Sequence, residues 1–244
     1  MLKGNREPDP VAGGSALLFW SKIAGNAGFF VAVLILARAL GPTGRGTIAF
    51  ITVTALVAAR LAGLGITEAT TVFVARRVEV RGALLTNAVV FLFGSALLTA
   101  AVACGALIAL GDQGPAGIGA PELAVIVAAT VVSAMGDAGY CVLLGCGRLR
   151  PLALITASAS WVYPVFLLAI WSTAGLTVLG AAVAWTVAES IRAGAYLAQS
   201  RRGLSLSRPD SGLLLEAVRL VAGAQKAINV PPIWTSPAAV TSAA

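Results

Sequence analysis

Six long apolar stretches follow one another along the chain, each bounded by short polar or glycine-proline segments. They run from about Ser15 to Leu40, Thr47 to Ile66, Ala83 to Leu110, Leu123 to Leu144, Leu152 to Trp171 and Leu176 to Leu197. A helix that crosses a bilayer needs about 20 mostly apolar residues, because roughly 30 Å of hydrocarbon is covered at about 1.5 Å per residue. Each stretch meets that length. All of them exceed strand length, and the short alternating segments of a membrane barrel are absent, so the pattern predicts helices. The expectation is an all-α membrane protein: a bundle of six transmembrane helices over 15–200.

The connectors carry turn chemistry. Gly41-Pro42-Thr43-Gly44 separates the first two spans, Asp112-Gln113-Gly114-Pro115 and Gly119-Ala120-Pro121 the third and fourth, and Gly147 to Pro151 the fourth and fifth. Within the fifth span, Pro164 is expected to introduce a kink. Residues 1–14 read as a cytoplasmic lead-in, since Glu7, Pro8, Asp9 and Pro10 interrupt any secretory leader. Residues 201–230 read as a cytoplasmic loop followed by an amphipathic or incomplete seventh helix, broken by Glu216, Arg219 and Lys226 and stopped at Pro231-Pro232. Residues 231–244 read as a disordered tail, either frayed after an interfacial helix or left where a longer chain is cut short.

Composition agrees with the pattern. Of 244 residues, 58% are hydrophobic and only 11% charged, against about a quarter charged in a soluble domain. The 17 Lys+Arg against 10 Asp+Glu give +7, and their placement sets orientation. Lys3 and Arg6 precede span one; Arg76, Arg77 and Arg81 lie between two and three; Arg148 and Arg150 lie between four and five; Arg201, Arg202 and Arg208 follow six. The alternate connectors hold only Arg38 and Arg45. Because cytoplasmic loops hold the Lys/Arg excess, the N-terminus of this multi-pass protein is expected inside.

Several chemistries drop out. Without histidine there is no Ser-His-Asp or Cys-His nucleophile, and Cys104, Cys141 and Cys146 have neither disulfide nor metal-clip spacing. The Gly41-to-Thr47 segment lacks the lysine of a phosphate loop and follows a span rather than a strand. No enzyme activity, cofactor, metal site or nucleic-acid partner is expected.

An ionisable group inside a span costs about 2.5–3.5 kcal/mol on insertion scales, so each one needs a physical reason. They are Lys22, with Asn26 one turn on; Arg60; Asp137; and Glu189 with Arg192, three apart and able to pair. With the N-terminus inside, all fall in the inner half of the bilayer. The expectation is a wet vestibule between the helices, open to the cytoplasm and net positive near its mouth. Plainer accounts stand beside it: Lys22, Arg60 and Arg192 snorkelling to headgroups, Asp137 as a hydrogen-bonded packing residue, and Glu189 as a structural partner of Arg192.

Arg38-Ala-Leu-Gly-Pro-Thr-Gly-Arg-Gly46 resembles the first-span turn of polysaccharide biosynthesis proteins. These are the lipid-linked oligosaccharide flippases of the multidrug/oligosaccharidyl-lipid/polysaccharide exporter superfamily. Leu61 to Ala69 running into Val74-Ala-Arg76, and Leu143-Leu-Gly-Cys-Gly-Arg148, are similar to that family's second- and fourth-span endings. The resemblance covers about Ser15 to Gln199, so it corresponds to the N-terminal half, one lobe of a two-lobe exporter. It implies alternating access, a lipid-pyrophosphate-linked glycan as cargo, membrane lipids as neighbours, and a missing second bundle or another copy of the chain as partner. In a bacterial cell (inner) membrane, Lys22, Asn26, Arg60 and Arg192 are then candidates to bind substrate, Lys22 and Arg60 at its pyrophosphate, with Asp137 and Glu189 coupling ions or balancing charge. The alternatives are a multidrug exporter of the same superfamily and a non-transporting scaffold of a polysaccharide assembly complex.

Overall fold

The computed structural model describes residues 10–63, 65–110, 118–202, 204 and 212, with side chains from residue 14. The expected lead-in lies mostly, and the expected tail wholly, outside the described residues, as does most of 201–230. Helix dominates the rest. The order is α1 (Pro10–Gly63), α2 (Ile66–Arg76), α3 (Arg81–Leu110), α4 (Ala120–Gly145), α5 (Leu149–Thr173) and α6 (Val178–Arg201), and no strand occurs among the described residues.

The first two apolar stretches fall in α1, and a single residue divides them. Gly41 has φ 68° and ψ −173°, a region open essentially to glycine alone. Pro42 follows directly, its ring presetting the helical φ and its missing N–H costing nothing in a first turn. The expected four-residue connector is therefore shorter than its composition suggested, since Pro42, Thr43 and Gly44 already belong to the second limb. The two limbs fold toward each other. Phe29 and Val53, about 36 Å apart on a straight helix, line one cavity of about 240 Å³.

The second limb also ends differently from expectation. After Gly65, again with positive φ (80°), the chain turns into α2 rather than stopping at Ile66. Ile66, Ala69, Thr70, Phe73 and Val74 are the buried face of this short helix, spaced as one side of a helix requires. Val74 packs so closely on α4 that a Cβ on Gly145 would sit 2.6 Å from Thr71 O and 2.9 Å from Val74.

Four helices are long and apolar enough to cross a membrane: α1 from Gly14 to Gly63, α3, α4 and α5. α6 has similar length, but Glu189 and Arg192 interrupt its apolar run. The most apolar window of α4 is 56% buried, against 22–28% for the other three, so α4 is the central helix. Elsewhere large apolar side chains point outward, among them Trp20, Phe30, Leu98, Ile108 and Leu154, each more than 60% exposed. Water would not tolerate so much contiguous apolar surface; hydrocarbon does.

Small residues set the crossings. On α1, Gly25 and Gly28 lie against Ser160 of α5, and a Cβ on Gly28 would be 2.9 Å from Ser160 O. That carbonyl is the one Pro164 leaves without its helical N–H partner, being four residues earlier. α5 runs over Leu149–Thr173 with Pro164 inside it, and the close approach of Gly28 covers the freed oxygen. Between α4 and α6, Gly136 meets Ala193 and Gly139 meets the backbone of Tyr196 and Leu197. Such contacts drive helix association where lipid supplies no hydrophobic force.

Local caps complete the ends. The Glu122 carboxylate accepts a hydrogen bond from the Gly119 N–H at 2.9 Å, and Thr177 Oγ1 accepts one from the Gly180 N–H at 3.1 Å. Pro121 and Pro151, expected in connectors, lie in the first turns of α4 and α5.

Candidate functional site: a charged cluster across three helices

Arg60 and Asp137 meet across the contact between the second limb of α1 and α4. Arg60 Nη1 donates to Asp137 Oδ2 at 3.0 Å. The approach depends on alanines: Ala59 and Ala62 flank Arg60, Ala134 and Ala138 flank Asp137, and all four lie in one buried cluster. Longer side chains there would hold the two helices apart.

Asp137 also sits between Gly136 and Gly139, whose lack of side chains lets α6 approach α4. α6 brings Glu189 and Arg192, one turn apart, which form an ion pair. The two pairs share one electrostatic neighbourhood: Asp137 feels Arg60, Arg192 and Glu68, and Glu189 feels Arg192 and Asp137. Two arginines thus face two carboxylates, with Glu68 of α2 at the margin. The carboxylates are the sheltered members, at 19% (Asp137) and 15% (Glu189) side-chain exposure. The Arg60 side chain is 71% exposed, so its guanidinium keeps donors free for a further acceptor.

Lys22 and Asn26 lie on the exposed face of the first limb of α1, and among the described residues Lys22 makes no ion pair. The structure therefore brings together Arg60, Asp137, Glu189 and Arg192, and leaves Lys22 and Asn26 out of that cluster. The expected net-positive vestibule is, at the cluster itself, a balance of charges.

Other side chains complete the site without having stood out in the sequence. The Ser133 hydroxyl is buried beside the Glu189 carboxylate. Tyr140 and Tyr196 pack edge to face with ring centroids 5.8 Å apart, and the Tyr196 hydroxyl bonds Thr156 Oγ1 at 2.8 Å. Their helical spacing was the available signal. Ser133 and Tyr140 lie four before and three after Asp137, and Tyr196 lies four after Arg192, so each shares a face with a charged residue.

Comparisons with protein-family models, with curated proteins and with solved structures find no match to this chain.

Proposed function

We propose that the chain is a transporter bundle of six membrane spans with its N-terminus in the cytoplasm, acting in a bacterial inner membrane as a flippase, or one lobe of a flippase, for a lipid-pyrophosphate-linked oligosaccharide. The observation that carries the reading is Arg60: a guanidinium inside an apolar span, anchored on one side by Asp137 and open on the other. A charged group at that depth marks a pathway more readily than a packing contact. A planar guanidinium matches phosphate oxygens bidentately, and it replaces water around the anion while lipid tails stay in hydrocarbon. The Glu189–Arg192 pair lies next to it and supplies a second cation whose carboxylate partner can exchange with substrate.

The test is reconstitution of the chain in vesicles with a fluorescent polyprenyl-pyrophosphate oligosaccharide, reading its movement between leaflets by external quenching. Wild type should move it, R60Q should slow movement at least tenfold at equal protein content, and R60K should fall between. Equal, measurable rates in wild type and R60Q overturn the reading, and no movement by wild type overturns the form in which this bundle acts by itself.

One observation favours a different reading, a membrane scaffold without transport. Each sheltered carboxylate already has an arginine, so the cluster also serves as a clasp between α1, α4 and α6. Under that reading a variant carrying both R60Q and D137N retains full support of polysaccharide assembly in cells.

A further inference from the structure

The cavity between the two limbs of α1 is separate from the charged cluster. Leu36 and Ile48 form its floor, and Tyr163 of α5 and Trp185 of α6 close its back. Its open side passes between Phe29 and Val53, which are 60% and 57% exposed. Both belong to the outward apolar surface, so the cavity opens sideways into hydrocarbon rather than toward water. Its volume, about 240 Å³, lies a little below the lower end of the range of about 300–1,000 Å³ usual for small-molecule pockets.

Thr52 also lines the cavity, its hydroxyl donating to Ile48 O and Ala49 O of its own helix, and two further polar features break the apolar lining. Arg45 stands at the rim, four residues beyond the Gly41 turn and exposed, where the turn end of the bundle meets the headgroup region. The Tyr163 hydroxyl is the other. The residue is 94% buried by its 6% exposure, and the hydroxyl has no hydrogen-bond partner. An unpaired buried hydroxyl is unfavourable until it meets an acceptor, and what fills a cavity open to hydrocarbon is a lipid.

We infer that this cavity is a binding site for one acyl chain of an anionic glycerophospholipid, with Arg45 holding the phosphate and the Tyr163 hydroxyl donating to an ester carbonyl. The three features match the three parts of such a molecule. An apolar slot open to hydrocarbon takes a chain, a cation at headgroup depth takes the phosphate, and the unpaired donor on the residue that closes the slot's back needs an oxygen acceptor that a pure hydrocarbon or prenyl tail lacks. The site stands independently of transport by the charged cluster, since none of its lining residues belongs to that cluster.

The test uses the full chain in detergent, stripped of lipid and titrated with dioleoyl phosphatidylglycerol while native mass spectrometry counts bound lipid. Wild type should retain one phosphatidylglycerol in preference to phosphatidylcholine. A49F, whose ring enters the slot, should weaken retention at least tenfold. R45Q, a change on an exposed side chain that leaves folding intact, should erase the preference for the anionic lipid. Y163F should remove the difference between the ester-linked lipid and its ether-linked analogue, which has no carbonyl. Equal retention in wild type and R45Q, or equal binding of ester and ether lipids by wild type, overturns the assignment. Tighter binding of a polyprenyl phosphate than of phosphatidylglycerol through the same residues also overturns it, by making the occupant a prenyl lipid.

Discussion

Gly139 and Gly94 are both glycines inside apolar helices, yet a methyl group meets different surroundings at each. At Gly139 it would lie 2.9 Å from the Leu197 nitrogen and the Tyr196 carbonyl carbon, which are backbone atoms unable to step aside; at Gly94 nothing lies within 4 Å. Gly139→Ala should therefore push α6 off α4 and destabilise the fold by about 1–3 kcal/mol. Gly94→Ala should be neutral or gain up to about 1 kcal/mol from helix propensity. Thermal unfolding in detergent reads both, and equal melting temperatures would show that the α4–α6 contact is looser than described. The Arg60–Asp137 pair yields a second prediction at the same scale. R60Q strands a carboxylate that is only 19% exposed, whereas R60Q with D137N leaves two neutral amides. Removing one partner of a sheltered pair costs more than replacing both. The double variant should thus melt above the R60Q single, and a double variant melting below it would mean that the pair is not coupled.

At the scale of elements, two positive-φ glycines turn three helical pieces into a bent hairpin with a foot. Gly41 folds the first limb back on the second, and Gly65 redirects the chain into α2. Gly41 has open space around its Cβ position, so its requirement is purely one of backbone angle. Gly41→Ala should cost about 1–3 kcal/mol from that angle alone, while Gly46→Ala, also in open space but helical, should cost nothing. Chemical unfolding of the two variants side by side checks this. The same helices were legible in the sequence as apolar runs, and their ends moved by only a few residues. What the runs did not contain was α2. Its buried face, Ile66 to Val74, has amphipathic spacing, but it adjoins the second apolar run and in the sequence falls in the connector between the second and third runs.

Across the whole molecule, the apolar exterior and the central burial of α4 define a bundle suited to hydrocarbon. The proposed orientation makes the Gly41 turn external and the α2–α3 connector cytoplasmic. With Cys104, Cys141 and Cys146 replaced by alanine, a cysteine at Thr43 should react with an impermeant maleimide in intact cells. One at Glu79 should react only after the membrane is opened. Both positions are exposed in the structure, so access depends on the side of the membrane alone. Labelling of both from outside, or of neither, contradicts the orientation.

The sequence alone determined that the chain is helical and built for a bilayer, because length and hydropathy of each run follow from the solvent rather than from neighbouring helices. It also determined which residues are anomalous, since a charge in an apolar run is anomalous whatever packs beside it. Only the tertiary structure decided which anomalies belong together. Arg60 lies 77 positions from Asp137, and periodicity carries no information across such a gap. Their meeting follows from alanines and glycines whose role is the absence of volume, a property that acquires meaning only when a second helix is there to fill it.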